Sequence, residues 1–134
     1  MAIEEAEPED VLGNGEVDIT ALETWLTGTF KFVVHKGPRL LSPRAETPTS
    51  YIAMGFDEDL KTATGMAVRN MIDFLVAEKH LSGDDAYTLT SVAIDLNITQ
   101  LVDSKVGVHA TCPEGIFDTV NSTASAGGAS PGGR

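Results

Sequence analysis

The amino-acid sequence predicts an α+β fold, an antiparallel β-sheet with a two-helix hairpin between two pairs of strands. Apolar and polar residues alternate over 24–35 and again over 96–112, as they do in half-buried strands. Between 60 and 75 the apolar residues recur at helical spacing instead. The resulting order β-β-α-α-β-β places both helices between the strand pairs, so we expect them to cover one face of the sheet.

The first strand pair is predicted over 24–35 and 51–54. The alternation in the first segment assigns four residues to one face, Leu26, Phe30, Phe32 and Val34. Prolines 38, 43 and 48 predict an extended connection over 40–50, because proline lacks a backbone donor and restricts the residue before it. A short apolar strand over 51–54 follows, and Gly55 is expected to end it.

The two helices are predicted at about 58–79 and at 86–94. In the first, acidic residues 57–59 and basic residues 79–80 lie at the ends where the helix dipole favours them. Ser82 is a candidate N-cap for the second, with Asp85 three residues later. We expect Leu60, Phe74 and Leu75 to face the sheet. The strand residues that they are expected to meet are Leu26, Phe30, Phe32, Ile98 and Val108.

The second strand pair is predicted to be a β-hairpin. Leu96, Ile98 and Val102 alternate with polar residues, and residues 103–105 supply a turn. Apolar residues then alternate from Val106 to Cys112, and Pro113 ends the strand.

Length, composition and charge indicate how the chain is organised and which partners it does not bind. The 134 residues, 42% of them hydrophobic, suffice for a single domain with a buried core. We predict an acidic N-terminal arm over 1–12, a domain over 13–121 and a flexible Ser/Gly/Pro-rich tail over 122–134. A net charge of −11 argues against nucleic acid and anionic membrane surfaces as partners, because both attract basic proteins.

Few residues are candidates for chemistry. The single cysteine, Cys112, cannot form an intramolecular disulfide. Because the sequence shows no export signal and no apolar run long enough to span a membrane, we expect a cytoplasmic protein. Cys112 lies on the apolar strand face, which favours a buried structural thiol. His35 and His80 are expected to be surface or capping residues, whereas His109 could face either a cleft or water. Glu16 follows a turn signal, where a solvated glutamate and a catalytic acid or base are both compatible with the pattern.

Several sequence blocks, in the same order, resemble the C-terminal part of the acetamidase/formamidase family. They are GNGEV (13–17), TALET (20–24), YIAMGFDEDL (51–60), NMIDFL (70–75), DDAY (84–87), DLNITQLVD (95–103), GVH (107–109) and PEGIF (113–117). The resemblance implies one part of a larger, mainly-β fold. It also implies hydrolysis of short linear amides, formamide and acetamide, to carboxylate and ammonia by a cytoplasmic, oligomeric, metal-associated enzyme, with Glu16 as the catalytic residue.

The motif before Glu16 departs from the family pattern, which resembles Gly-Asp-x-His-Ala-x-Gln-Gly-Asp-Gly-Glu. Gly13, Gly15 and Glu16 match it, whereas Glu9 and Leu12 stand at the histidine and glutamine positions. The resemblance implies a divalent metal, Zn²⁺ or Ca²⁺. Because the histidine and glutamine positions are not matched, the main ligands of that metal are not visible in this chain. The alternative is a truncated, catalytically silent remnant or a structural assembly subunit. Expected partners are a small amide and further protein chains, as a homo-oligomer or a partner subunit.

Overall fold

The computed structural model describes residues 15–18, 25, 27–34, 36–37 and 40–117. The predicted arm (1–12) and tail (122–134), together with Leu26 and His35, lie outside these residues. Within them the chain forms a four-stranded antiparallel sheet and two helices, so the α+β class is confirmed.

The strands and helices follow one another in the predicted order. They are β1 (Arg44–Glu46), β2 (Ser50–Asp57), α1 (Leu60–Lys79), α2 (Gly83–Ala93), β3 (Asp95–Gln100), β4 (Val106–Pro113) and a 3₁₀ turn (Glu114–Ile116). In the sheet the strand order is β1-β2-β4-β3, and every pair is antiparallel. The two eight-residue strands, β2 and β4, therefore lie side by side at its centre.

Helix α1 is fixed by its caps and by one buried stripe. The Asp59 carboxylate accepts a hydrogen bond from the Thr62 backbone N–H at 2.7 Å, which satisfies one of the free donors of the first turn. His80 ends the helix in the left-handed conformation, with φ of 57°. Four residues at helical spacing are fully buried, Ala63, Ala67, Met71 and Leu75. No helix in the described ranges combines the length and apolar character needed to cross a membrane.

Helix α2 begins directly after its cap. The Ser82 hydroxyl accepts a hydrogen bond from the Asp85 backbone N–H at 3.1 Å, as the sequence predicted. The helix therefore starts at Gly83, three residues before the predicted start. Ala86 and Thr90 are buried where the helix packs against the rest of the core.

The core lies between α1 and the two central strands. Gly55 was expected to end its strand, but it lies inside β2. A Cβ at this position would fall against the carbonyl oxygen of Ala63 and the backbone nitrogen of Ala67. Glycine is therefore required here because the helix backbone approaches the strand too closely for a side chain.

The predicted strand at 24–35 is wrong for the residues that the structure describes. Residues 27–34 adopt no regular structure, and Phe30 and Phe32 are 77% and 91% exposed. No backbone hydrogen bond joins these eight residues to the sheet. Alternation alone does not form a strand, because a strand also needs a neighbour to pair its backbone groups. The first strand is instead β1, inside the segment predicted as an extended connection.

The other predicted core residues have mixed outcomes. Leu75 and Val108 are buried as expected, whereas Phe74 and Ile98 are half-buried. Leu60 is 36% exposed, because it is the first residue of α1 and lies at the margin of the helix–sheet contact. Phe30 and Phe32 do not join this core; their rings are 6.4 Å from each other.

Candidate functional site

The two faces of the sheet differ in what lies on them. Paired residues on neighbouring antiparallel strands share a face. α1 packs on one face. The opposite face, called the open face here, carries Ile52, Met54, Phe56, His109 and Thr111, paired as Ile52 with Thr111 and Met54 with His109. All five are half-buried, and no described helix packs on them. The open face is therefore where polar and apolar side chains remain accessible.

His109 is the titratable group at the centre of the open face. It pairs with Met54 on one side and Asn97 on the other, and its Nδ1 lies 2.9 Å from the hydroxyl oxygen of Thr99. Thr99 lies in the β3 bulge, which turns its side chain toward this face. Burial lowers the pKa of His109, so the neutral imidazole is favoured. Its Nε2 carries no hydrogen bond within the described residues.

Glu16 is held beside the same bulge by its backbone. Its N–H donates to the Thr99 carbonyl at 2.9 Å, and its carbonyl accepts from the Leu101 N–H at 2.7 Å. These bonds form a single parallel bridge with Gln100. Gln100 pairs in turn with Gly107, two residues from His109 on β4. The register therefore assigns Glu16 to the open face.

Gly15 permits this attachment. Its φ is +126°, and a Cβ there would collide with the carbonyl oxygen of Ile98. Any other residue would therefore be strained and would push the segment away from β3. The Gly15-Glu16 pair of the sequence motif thus has a geometric reason, whereas Gly13 lies outside the described residues.

The described residues do not fit a metal centre. No group of three or more His, Cys, Asp or Glu side chains among them could hold a metal ion. Nδ1 of His109 is engaged by Thr99, and no hydrogen bond joins Glu16 to His109 within the described part. Glu9 and Leu12, at the family's histidine and glutamine positions, lie outside the described residues. Among the described residues the site therefore offers one carboxylate, Glu16, and one imidazole, His109.

A second polar cluster, on the helix side of the sheet, was missed by the sequence analysis. Lys79 Nζ donates to the Tyr51 hydroxyl at 2.7 Å, and that hydroxyl donates to Glu114 Oε1 at 2.9 Å. Tyr51 is only 9% exposed. The three residues are far apart in sequence and share no motif. The one available signal is a tyrosine in an apolar strand, because a buried hydroxyl needs a partner.

Cys112 and His80 have the structural roles expected of them. Cys112 is fully buried on the helix side, and burial raises the pKa of its thiol to about 11, although the nearby Lys79 charge acts in the opposite direction. The reactive thiolate is therefore scarce at neutral pH. His80 is exposed, and its backbone N–H caps α1 by donating to the Leu75 carbonyl.

Comparison with known proteins gives matches among solved structures. No family model and no curated protein matches the chain. An acetamidase from Bacillus halodurans matches 57% of this chain at 28% identity, with a TM-score of 0.53. An acetamidase from Yersinia enterocolitica matches 61% at 30% identity, with a TM-score of 0.59. A predicted acetamidase/formamidase from the thermophile Thermoanaerobacter tengcongensis matches 64% at 26% identity, with a TM-score of 0.57.

These matches confirm the resemblance to the acetamidase/formamidase family over the part of the chain that they cover. The chain corresponds to only 26%, 25% and 29% of the length of the three proteins. The α+β unit described above is therefore similar to one portion of those larger structures.

Proposed function

We propose that this chain takes part in the hydrolysis of short linear amides, with formamide and acetamide as the substrate class. The similarity to three acetamidase or acetamidase/formamidase structures suggests amide hydrolysis as the reaction. The observation that supports a role for this chain is the attachment of Glu16 to the sheet, on the face that carries His109. A carboxylate fixed by its backbone is suited to proton transfer, which depends on geometry.

The proposed reaction uses Glu16 first as a base and then as an acid. Its carboxylate accepts a proton from a water molecule as the water oxygen attacks the amide carbonyl carbon. The C–N bond then breaks, and the proton passes to the nitrogen, which leaves as ammonia. The acyl group keeps the water oxygen and its second proton as formic or acetic acid, and that proton then passes to the released ammonia, which gives formate or acetate and ammonium. The neutral form of His109 is favoured by its lowered pKa, and its Nε2, which makes no hydrogen bond within the described residues, can hydrogen-bond the substrate or the water.

Replacing Glu16 tests this role directly. Glu16→Gln keeps the shape of the side chain and removes the ionisable group, and loss of a general acid or base lowers the rate about 10²- to 10⁴-fold. Ammonia release from formamide and acetamide by the purified full chain, with and without added Zn²⁺ or Ca²⁺, measures it. The matched control is Glu58→Gln, since Glu58 is exposed beside α1 and has no place in the proposed site. Equal rates for the two variants would exclude Glu16 as the catalytic group.

The second candidate function is a structural or assembly subunit. It is favoured by the lack of a metal-binding group among the described residues. The half-buried apolar residues of the open face, Ile52, Met54 and Phe56, would then serve as a contact surface for another chain. Metal analysis of the dialysed protein, together with light scattering, separates the two. An oligomer without metal and without ammonia release would favour the assembly function, whereas stoichiometric metal with ammonia release would favour the enzyme.

We further propose that the protein works as a homo-oligomer, or with a partner subunit, in the cytoplasm. The support for association is again the open face, since half-buried apolar side chains gain by being covered. The support for a reducing compartment is the single, buried cysteine.

A further inference from the structure

A groove on the helix side of the sheet, away from Glu16, has the features of a ligand site. It has a volume of about 630 Å³ and lies between β1, β2 and the C-terminal end of α1. Pockets that bind small molecules commonly measure about 300–1,000 Å³. The half-buried Phe74 supplies aromatic surface in it, and its ring centroid lies 5.1 Å from that of the nearly buried Tyr51.

Two cations, Arg44 and Lys79, line this groove beside its aromatic residues. Arg44 Cζ lies 5.4 Å from the ring centroid of Phe74, and Lys79 Nζ lies 3.9 Å from that of Tyr51. Among the described residues neither cation has a carboxylate within ion-pair distance, and the Arg44 guanidinium makes no hydrogen bond. Lys79 uses one of its three donors on the Tyr51 hydroxyl. Both side chains are half-buried, so part of each remains accessible from the groove.

The other charges around the groove limit the ligand. Glu46 and Glu78 also line it, so the lining has no net charge, and a ligand with two negative charges would be repelled more strongly than one with a single charge. The Tyr51 hydroxyl proton is already donated to Glu114, which leaves recognition of an anion to Arg44 and Lys79. The planar guanidinium matches a carboxylate through two parallel hydrogen bonds. The half-buried Phe74 ring suits a flat, apolar ligand body.

We propose that this groove binds a small aromatic monocarboxylate, with the carboxylate on Arg44 and Lys79 and the ring against Phe74. The site is separate from Glu16 and does not depend on amide hydrolysis.

Titration with sodium benzoate tests the site. Two-dimensional ¹H–¹⁵N NMR of the full chain should show saturable shifts at Arg44, Phe74 and Lys79. Arg44→Gln should weaken binding about tenfold or more, because hydrogen bonds to charged groups contribute about 1.5–3 kcal/mol. The matched control, Arg69→Gln, alters an exposed arginine of α1 outside the groove and should bind benzoate like the unmodified chain.

Three further measurements test the charge of the ligand, its competition with phosphate and the role of the Arg44 guanidinium. Benzamide, a neutral isostere, should bind more weakly than benzoate, and inorganic phosphate should not displace benzoate at equal concentration. Arg44→Lys keeps the charge and loses the planar fork, so its affinity should lie between those of the unmodified chain and Arg44→Gln, and the dispersed spectrum confirms that each variant is folded. Absence of saturable shifts, equal binding of benzamide, displacement by phosphate, or equal affinity of Arg44→Gln and Arg69→Gln would each overturn the proposal.

Discussion

The two faces of the sheet are built from different residues and differ in how deeply their side chains are buried. On the helix side, Ala53, Ala110 and Cys112 are almost fully buried, and Gly55 allows the α1 backbone to lie against β2. On the open face, Met54 and His109 keep partial access to solvent. Small residues thus set the helix–sheet distance on one side, while larger polar and apolar side chains remain available on the other. Stability should therefore depend mainly on the first face and proposed amide chemistry on the second.

Substitutions of two strand glycines, Gly55 and Gly107, should show the largest difference in stability between the two faces. Gly55→Ala would press a methyl group into the α1 backbone, so we expect a loss of about 3 kcal/mol or more in the free energy of unfolding, at the upper end for overpacking. Gly107→Ala meets the ring of Phe56, which can rotate away, and lies 3.1 Å from Thr99 Cβ, which needs only a small shift, so it should cost less, about 1–2 kcal/mol. Urea denaturation measures both, with Gly83→Ala as the unhindered control. Equal losses at 55 and 107 would contradict the difference between the faces.

Two methionines sharpen the same comparison. Met71, on α1, is fully buried, so Met71→Ala should cost about 2–5 kcal/mol through lost contacts and a cavity. Met54 is half-buried on the open face, so Met54→Ala should lower the free energy of unfolding by only about 1 kcal/mol. Denaturant midpoints of the two variants, compared at equal m-value, give the difference. A larger loss at Met54 would show that the open face is covered in solution.

His109 should make a smaller, pH-dependent contribution. Burial lowers its pKa in the folded protein below the ordinary value of 6.5, so the unfolded chain binds the proton more readily. The stability of the unmodified chain relative to His109→Gln should therefore be greatest above about pH 6.5 and fall as the pH falls toward the lower folded-state pKa. Denaturant melts at pH 7.5, 6.5 and 5.5 measure this trend. His80→Asn serves as the control, and a pH-independent difference for His109→Gln would rule out the effect.

Local signals predicted much of this fold. The spacing of Ala63, Ala67 and Met71 indicated α1, and the Ser82 cap was correct in its hydrogen bond. The β3–β4 hairpin also followed from alternation, because its two strands are close in sequence and pair with each other. Each of these elements is determined by residues that are close to one another in the sequence.

Features that depend on distant partners could not be predicted in the same way. The 27–34 segment alternates as a strand does, yet no described strand pairs with it. The cluster of Tyr51, Lys79 and Glu114 joins the start of β2, the end of α1 and the turn after β4, which no linear spacing reveals. For Glu16, the Gly15-Glu16 pattern located the residue, but its single bridge to Gln100 required the bulge in β3. Tertiary pairing decided each case.

His80, which ends α1, bears on how much sequence change the turn between the helices tolerates. Its left-handed backbone costs a residue with a Cβ more than it costs glycine. Histidine, however, leaves the unfolded chain fewer backbone conformations than glycine does, and this partly offsets the strain. Glycine or asparagine could therefore replace histidine with little net change in stability. The direction in which α2 leaves α1 is set by a backbone conformation that several residue types can adopt.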